Sequence, residues 1–126
     1  MKINDPIIIS EVRAAFDAYE HALMSDDLEA MSNLFRQAPE TVRYGVGECL
    51  YGYDEIAAFR KARGGSPQRW LGRVDIASYG TDLATANAEF FREGTKVRGR
   101  QSQTWVKFES GWKVVSAHVS LEKDVS

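Results

Sequence analysis

The stretch GRQSQTWVKFESGWKVVSAHVSL, residues 99–121, decides the fold of this chain. Two runs rich in β-branched and aromatic residues, Val97 to Phe108 and Trp112 to Leu121, are separated by the turn signal Ser110-Gly111. Because so short a turn favours pairing of the two strands that it joins, the pattern predicts an antiparallel hairpin.

The same pattern extends upstream of this hairpin. Trp70 to Tyr79 and Asp82 to Arg92 are also typical of strands, with Gly80-Thr81-Asp82 as the turn between them. Tight turns favour pairing in sequence order, which predicts an antiparallel meander. Thr41 to Val46 adds a short strand earlier in the chain.

The first half of the chain is predicted to be helical. From Ile9 to Met24 apolar residues recur at helical spacing and form one stripe. Asp26 followed by Glu29 has the form of a capping box for a shorter second helix. A third helix begins at Asp54 and is closed by Gly64-Gly65. Because the helices precede most of the strands along the chain, the sequence predicts an α+β fold. In this fold a curved antiparallel or mixed sheet is expected to wrap around the N-terminal helix as a cone.

Length and charge narrow the class of protein. With 126 residues the chain has the size of one domain, residues 1–126. Sixteen Lys and Arg side chains against eighteen Asp and Glu leave a formal charge of −2. Because this balance supplies no basic surplus, nucleic acid is not expected as a partner.

Other features of the composition exclude further classes. One cysteine, Cys49, forms no internal disulfide, and MKINDPIIIS lacks the long apolar run of a signal peptide or membrane helix. We therefore expect a cytoplasmic protein without a membrane partner. The two histidines, His21 and His118, lie far apart in sequence, so neither a metal nor another cofactor is expected.

Because successive side chains of a strand point to opposite faces of the sheet, their positions predict which polar side chains share a face. Gln101 and Gln103 share a face with Trp105, whereas His118 shares the opposite face of its strand with Ser120. The alternation also groups Lys113, Val115, Ala117 and Val119 on one face of the last strand. Arg43, opposite the apolar face of its own short strand, is expected to point either to water or into a cavity.

Several blocks together resemble a known family. These are FDAYEHAL at 16–23, TVRYGVGE at 41–48, LYGYDEIAAFRKAR at 50–63, YGTDLATANAEF at 79–90 and the final hairpin. They are similar to the NTF2-like superfamily and, within it, to the DUF3225 or AtzH-like family, which includes oxalurate-catabolism proteins.

This resemblance implies a cone-shaped α+β barrel, usually a homodimer formed through the sheet. It also implies a role in the catabolism of carboxylated urea compounds such as oxalurate or dicarboxyurea, and a proposed active-site pair that matches Tyr19 and Arg43 here. Membership alone does not fix the reaction, because this fold hosts enzymes, binding modules and accessory subunits.

The arginines of the sequence differ in what they offer to a ligand. Arg43 offers a planar fork that can hold a carboxylate through two hydrogen bonds, although an arginine on a short strand is most often a solvated surface residue. Arg73 is a candidate for a second arm of the same clamp. Arg60 and Arg63 lie at the end of the third helix, where interaction with the helix dipole explains them adequately.

The remaining candidates are assigned by residue type. His118 is the candidate for acid–base chemistry near neutral pH, although a structural role as a hydrogen-bonded residue of the cavity wall is an equal alternative. Ser120 is expected to support His118. Tyr19 is expected to orient the substrate or transfer a proton. Gln101 and Gln103 are candidates for binding a urea-like group or for pairing between strands.

Three further features give weaker signals. The stretch Gly45-Val46-Gly47 lacks the helix of a dinucleotide site and is interpreted as a strand bend. Glu48 and Glu89 are possible acid–base carboxylates. Cys49 is interpreted as a small buried hydrophobe, because no neighbouring base is evident.

The sequence thus supports two hypotheses from different classes. The first is an enzyme without a cofactor in which water attacks and a C–N bond of a small anionic ureido-type substrate is cleaved. The second is a non-catalytic ligand-binding or accessory protein of the same pathway. A scaffold without any enclosed polar cavity is a third possibility.

Overall fold

A computed structural model describes residues 1–124 of the chain. The helices are α1 (Pro6–Met24), α2 (Leu28–Leu34) and α3 (Tyr53–Arg63). The strands are β1 (Val42–Tyr44), β2 (Cys49–Tyr51), β3 (Arg69–Tyr79), β4 (Leu83–Arg92), β5 (Arg98–Phe108) and β6 (Gly111–Leu121).

All six strands form one mixed sheet with the order β2-β1-β6-β5-β4-β3. From β3 to β6 neighbouring strands are antiparallel, as the turn signals predict. β1 pairs with β6 in parallel, and β2 pairs with β1 antiparallel at the far edge of the sheet. The predicted α+β architecture is confirmed, but β2 was not predicted, since a three-residue strand leaves too short a pattern to detect.

The helix ends differ from the prediction by a few residues. α1 begins earlier than Ile9, because Pro6 occupies its first turn and the Asp5 side chain accepts a hydrogen bond from the Ile7 amide at 2.9 Å. The predicted Asp26 cap of α2 is wrong by one residue. Asp27 caps this helix and accepts from the Ala30 amide at 3.1 Å. None of the helices within residues 1–124 is long and apolar enough to cross a bilayer.

The core lies between α1 and the concave face of the sheet. Phe16 on α1, Phe35 after α2 and Trp105 on β5 are fully buried and belong to one apolar cluster. Large apolar side chains of this kind fill protein interiors at close to crystal density. Next to Phe35 the wall becomes polar and forms the site described below.

Two register shifts change which side chains face the core. One lies between Leu71 and Val74 on β3 and the other follows Thr104 on β5, opposite β6. An extra residue reverses the inward and outward alternation on either side of it. The predicted grouping of Lys113 and Val115 with Ala117 is therefore wrong: on β6 the buried side chains are Trp112, Val114, Ala117 and Val119.

Candidate functional site

A small cavity lies between the C-terminal half of α1, helix α3 and the concave face of the sheet. Its volume is about 40 Å³, which is room for a few waters or a small ligand. Its wall is dominated by basic side chains: five arginines line it, namely Arg43, Arg60, Arg63, Arg69 and Arg92. The cavity is therefore strongly basic.

Carboxylates balance only part of this charge. Glu48 Oε1 lies 3.0 Å from Arg43 Nη1, and Glu20 Oε1 lies 2.6 Å from Arg69 Nη2. Within residues 1–124, the guanidiniums of Arg60, Arg63 and Arg92 form no ion pair with a carboxylate. Buried charges are normally paired, so the cavity carries a surplus of positive charge that an anion would compensate.

Several polar atoms in the same wall have no hydrogen-bond partner within the described residues. They are Arg60 Nη1, Arg63 Nε, Ser66 Oγ and Gln101 Nε2, and all four residues line the cavity. A buried polar group without a partner costs about 1–3 kcal/mol, and more when it is charged. Three of these atoms are nitrogen donors and the fourth is a hydroxyl, which matches a ligand rich in acceptor oxygens.

The charge surplus also affects the arginine pKa values. Burial lowers the pKa of Arg63, and the neighbouring Arg43 lowers it further. For Arg92, burial again contributes most to the lowered pKa, followed by the charge of Arg69. Guanidiniums nevertheless stay protonated in proteins, so the repulsion between these side chains persists.

Tyr19 and Arg60 form the floor of the cavity. The hydroxyl of Tyr19 accepts a hydrogen bond from Arg60 Nη2 at 3.2 Å, and both residues are buried. The Arg60 guanidinium also lies over the Phe35 ring, 4.3 Å from its centroid. Since the Tyr19 oxygen is the acceptor in this contact, its own O–H hydrogen can be directed at a ligand.

Arg43 reaches the cavity from β1, and only 12% of its side chain is exposed. Glu48 holds it from the turn that follows β1. A Cβ atom at Gly45 would lie 1.6 Å from Glu48 Oε1, so the carboxylate fills the space that a side chain at position 45 would need. The predicted strand bend at Gly45-Val46-Gly47 is thus the turn that carries Glu48 back to Arg43.

Arg69 is fixed by a carboxylate and by an aromatic ring. Its Nε and Nη2 donate to the two carboxylate oxygens of Glu20, at 3.0 and 2.6 Å. Nη2 also donates to Oε1 of Gln101 at 3.1 Å. The guanidinium lies over Phe90, 4.4 Å from the ring centroid, and this ring packs against the backbone at Gly99.

The structure brings four of the predicted site residues to the cavity: Tyr19, Arg43, Gln101 and Gln103. Both glutamines are buried on the inward face of β5 together with Trp105, in agreement with the predicted alternation. The Trp105 indole N–H donates to Gln103 Oε1 at 3.1 Å.

The other predicted site residues lie on the outer face of the sheet. His118 is exposed between the inward-facing residues Ala117 and Val119. Its ring packs edge-to-face with the Tyr44 ring, and the two ring centroids are 5.6 Å apart. Ser120 shares that face and accepts from Arg100 at 3.2 Å. Alternation places these residues on one face but does not say which face is concave, and this corrects the expectation that they serve the cavity.

Arg73 does not form the second arm of the clamp. Its side chain is 73% exposed, and Nε lies 2.7 Å from Asp75 Oδ2 on the outer face of the sheet. The register shift after Leu71 turns Arg69 inward instead, four residues earlier on β3. Cys49 is exposed on the edge strand, so its interpretation as a buried hydrophobe is also wrong.

Sequence reasoning missed most of the basic wall. For Arg60 and Arg63 the helix dipole was a sufficient explanation, yet α3 directs both side chains into the cavity. Arg69 and Arg92 are opposite each other on β3 and β4. One signal was available: two strand-end arginines that meet in a hairpin place like charges together, an arrangement that needs a negative partner.

The fold and the cavity define an NTF2-like α+β cone with a basic pocket inside it. The AtzH-like family model matches residues 1–125, and the chain belongs to this family.

Solved structures agree with this assignment. A DUF3225-family protein of unknown function from Pectobacterium atrosepticum is 47% identical, with a TM-score of 0.93 over 96% of this chain and 95% of that one. A cystatin-like fold protein from Burkholderia xenovorans is 45% identical, with a TM-score of 0.94 over 98% of both chains. An NTF2-like superfamily protein from Salmonella enterica, 24% identical over 96% of this chain and 95% of that one, shares the fold at a TM-score of 0.77. The search of curated proteins found no match.

Proposed function

We propose that the cavity binds a small carboxylated urea-type metabolite, such as dicarboxyurea or oxalurate, and that the protein cleaves a C–N bond in it. One observation carries the binding part: five guanidiniums face two carboxylates, and buried donors remain without partners within the described chain. A ligand with two anionic or carbonyl ends supplies the missing acceptors. The class of metabolite comes from the family resemblance.

The cavity side chains have distinct roles in this proposal. Arg43 and the unpaired arginines bind the anionic groups and polarise the carbonyl next to the bond that breaks. Tyr19 donates its hydroxyl proton toward the ligand, since its oxygen already accepts from Arg60. Water attacks the carbonyl carbon, the C–N bond breaks, and the leaving nitrogen takes a proton.

Dicarboxyurea contains two kinds of C–N bond, and their cleavage requires different chemistry. Hydrolysis at the central carbonyl uses water as the nucleophile and gives carbamate and iminodicarboxylate, which both decay to ammonia and carbon dioxide. Cleavage of a terminal N–carboxylate bond needs only a proton on nitrogen and releases carbon dioxide alone. Measuring both products therefore identifies the bond that is broken.

The alternative is a non-catalytic binding or accessory protein of a ureido-acid pathway. One observation favours it: the two carboxylates beside the cavity, Glu20 and Glu48, are each held by an arginine, and His118 faces outward. Within residues 1–124 the cavity therefore has no free general base in contact with it.

To test the proposal, purified protein is incubated with dicarboxyurea or with oxalurate, and the release of ammonia and carbon dioxide is measured over time. Catalysis predicts product release that Arg43→Ala abolishes while Arg73→Ala, an exposed arginine of the outer face, leaves it unchanged. Thermal unfolding of both variants checks that the fold is intact. Saturable binding without product supports the alternative, and no binding of either compound contradicts both.

Two further expectations remain predictions. The family resemblance implies a homodimer formed through the sheet, which sedimentation equilibrium tests directly. The cytoplasmic location expected from the sequence is tested by fractionation of the source cells.

A further inference from the structure

The orientation of the Gln101 amide is determined by a neighbour that can only donate hydrogen bonds. Arg69 Nη2 lies 3.1 Å from Gln101 Oε1. A guanidinium has no acceptor, so a flipped amide would place two donors against each other. The contact therefore directs Nε2 of Gln101 away from Arg69, where it is buried and has no partner within the described residues.

Glu20 fixes Arg69 in turn. It accepts from Nε and Nη2 through both carboxylate oxygens, and the side chains of the pair are 15% and 6% exposed. This fork-to-fork geometry leaves the guanidinium one orientation, with its remaining Nη2 hydrogen on Gln101. Glu20 does not line the cavity itself, so it acts on the ligand only through these two side chains.

A second glutamine is oriented in the same sense. The Trp105 indole N–H, which is donor only, lies 3.1 Å from Gln103 Oε1. Both amide oxygens thus accept from neighbours, and the Gln101 amide nitrogen is left without a partner within the described residues. With the guanidiniums around them, they make a wall that offers donors and few acceptors.

We propose that Glu20 is a positioning residue that, through Arg69, fixes Gln101 as a hydrogen-bond donor, so that the cavity discriminates against ligands that present an N–H where an oxygen acceptor is required. The inference rests on the proposed function, because it concerns the ligand of the same cavity. It adds the specificity: oxygen acceptors bind, and an N–H in the same place is rejected because two donors would be buried face to face.

A matched pair of ligands isolates this effect. Monomethyl malonate and N-methylmalonamate carry the same single negative charge and nearly the same shape, but an ester oxygen in one replaces an amide N–H in the other. Calorimetry on the full chain should show that the ester binds at least about fivefold more tightly than the amide.

Two variants test the assigned residues. Gln101→Glu replaces the donor Nε2 with an acceptor oxygen, and Glu20→Gln releases Arg69. Each should lower the ester-to-amide affinity ratio at least about threefold, because the fixed donor is lost. The added or removed charge acts equally on both ligands, as does a general loss of stability, so neither changes the ratio.

Exposed residues provide matched controls. Gln37→Glu makes the same change as the first variant on an exposed glutamine, and Glu40→Gln removes a carboxylate that is paired with an exposed arginine, Arg36. Both controls should keep the wild-type ratio, and thermal unfolding confirms that all four variants are folded.

The outcomes separate the inference from the function. The positioning role of Glu20 would be overturned if the wild type bound both ligands equally. It would also be overturned if Gln101→Glu and Glu20→Gln left the ester-to-amide affinity ratio unchanged. In either case the binding of small anions would stand. If neither ligand binds to the wild type, this inference is overturned, whereas the proposed function is contradicted only if dicarboxyurea and oxalurate also fail to bind.

Discussion

Arg60 donates a hydrogen bond to the hydroxyl of Tyr19 at 3.2 Å, although the two residues are 41 positions apart in the chain. The contact joins α1 to α3 and makes the phenol oxygen an acceptor. The O–H hydrogen is then available to a ligand, while the second terminal nitrogen of Arg60 has no partner in the described part of the chain. Both residues thus have hydrogen-bond donors available at the same cavity.

Replacing the Tyr19 hydroxyl should weaken both the site and the fold. Tyr19→Phe leaves Arg60 Nη2 without its acceptor, so we expect the free energy of unfolding to fall by about 1–2 kcal/mol. Affinity for malonate should fall at least about tenfold, since a donor to the ligand is lost as well. Denaturant unfolding and calorimetry measure these effects, with the partly exposed Tyr79→Phe as the control. Unchanged malonate affinity would contradict the donor role of Tyr19.

Removing one unpaired arginine should stabilise the ligand-free protein. Arg63 is repelled by Arg43 and is partly desolvated, so Arg63→Met should raise the free energy of unfolding by about 0.5–2 kcal/mol. The same variant should lose most of the thermal stabilisation that malonate gives to the wild type. Lys61→Met, on the exposed side of the same helix, should change neither quantity. A less stable Arg63→Met protein would show that this charge is already compensated.

A pair of glycine substitutions tests how Glu48 orients Arg43. Gly45→Ala places a methyl group where the Glu48 carboxylate now lies, whereas a Cβ at Gly47 meets no atom within 4 Å. We expect Gly45→Ala to weaken malonate binding by about twofold to fivefold, because Arg43 loses the partner that directs it. Gly47→Ala should bind malonate as the wild type does. Equal affinities for the two variants would show that Arg43 does not depend on Glu48.

Glu11 provides a pH-dependent contribution to stability away from the cavity. Its carboxylate accepts hydrogen bonds from Trp112 Nε1 and Lys107 Nζ, both at 2.9 Å, and these contacts lower its pKa. A lowered pKa in the folded state adds stability above the unfolded pKa and loses it as the pH falls through the folded one.

Glu11→Gln should therefore be less stable than the wild type at about pH 7, and the difference should narrow on acidification to about pH 3. Urea unfolding of the two proteins at both pH values measures this. The exposed Glu29→Gln, on α2, serves as a control. A difference that stays constant with pH would show that the Glu11 contacts do not depend on its charge.

The fold was predictable because local signals decide it. Apolar spacing along α1 and the turns at Gly80 and Gly111 are properties of neighbouring residues, and both glycines adopt the positive φ that such turns require. The parallel pairing of β1 with β6 is different, since it joins strands more than 70 residues apart. No local pattern encodes that contact.

The site was only partly predictable, for a physical reason. Tyr19 and Arg43 came from the family resemblance, and Gln101 and Gln103 came from strand alternation. Alternation sorts side chains into two faces, but which face is concave depends on how the sheet curves around α1. His118 was therefore assigned to the cavity although its neighbour Ala117 is the residue that faces it.

The irregularity after Leu71 has a consequence for comparing this chain with its relatives. A gapless alignment that ignores the extra residue would be shifted by one position on one side of it, and would there match inward-facing with outward-facing side chains. A deletion of one residue at Gly72 should likewise rotate Arg69 out of reach of the ligand without altering a single amino acid that touches it. Length at this point of the strand, as much as residue identity, therefore determines which side chains line the cavity.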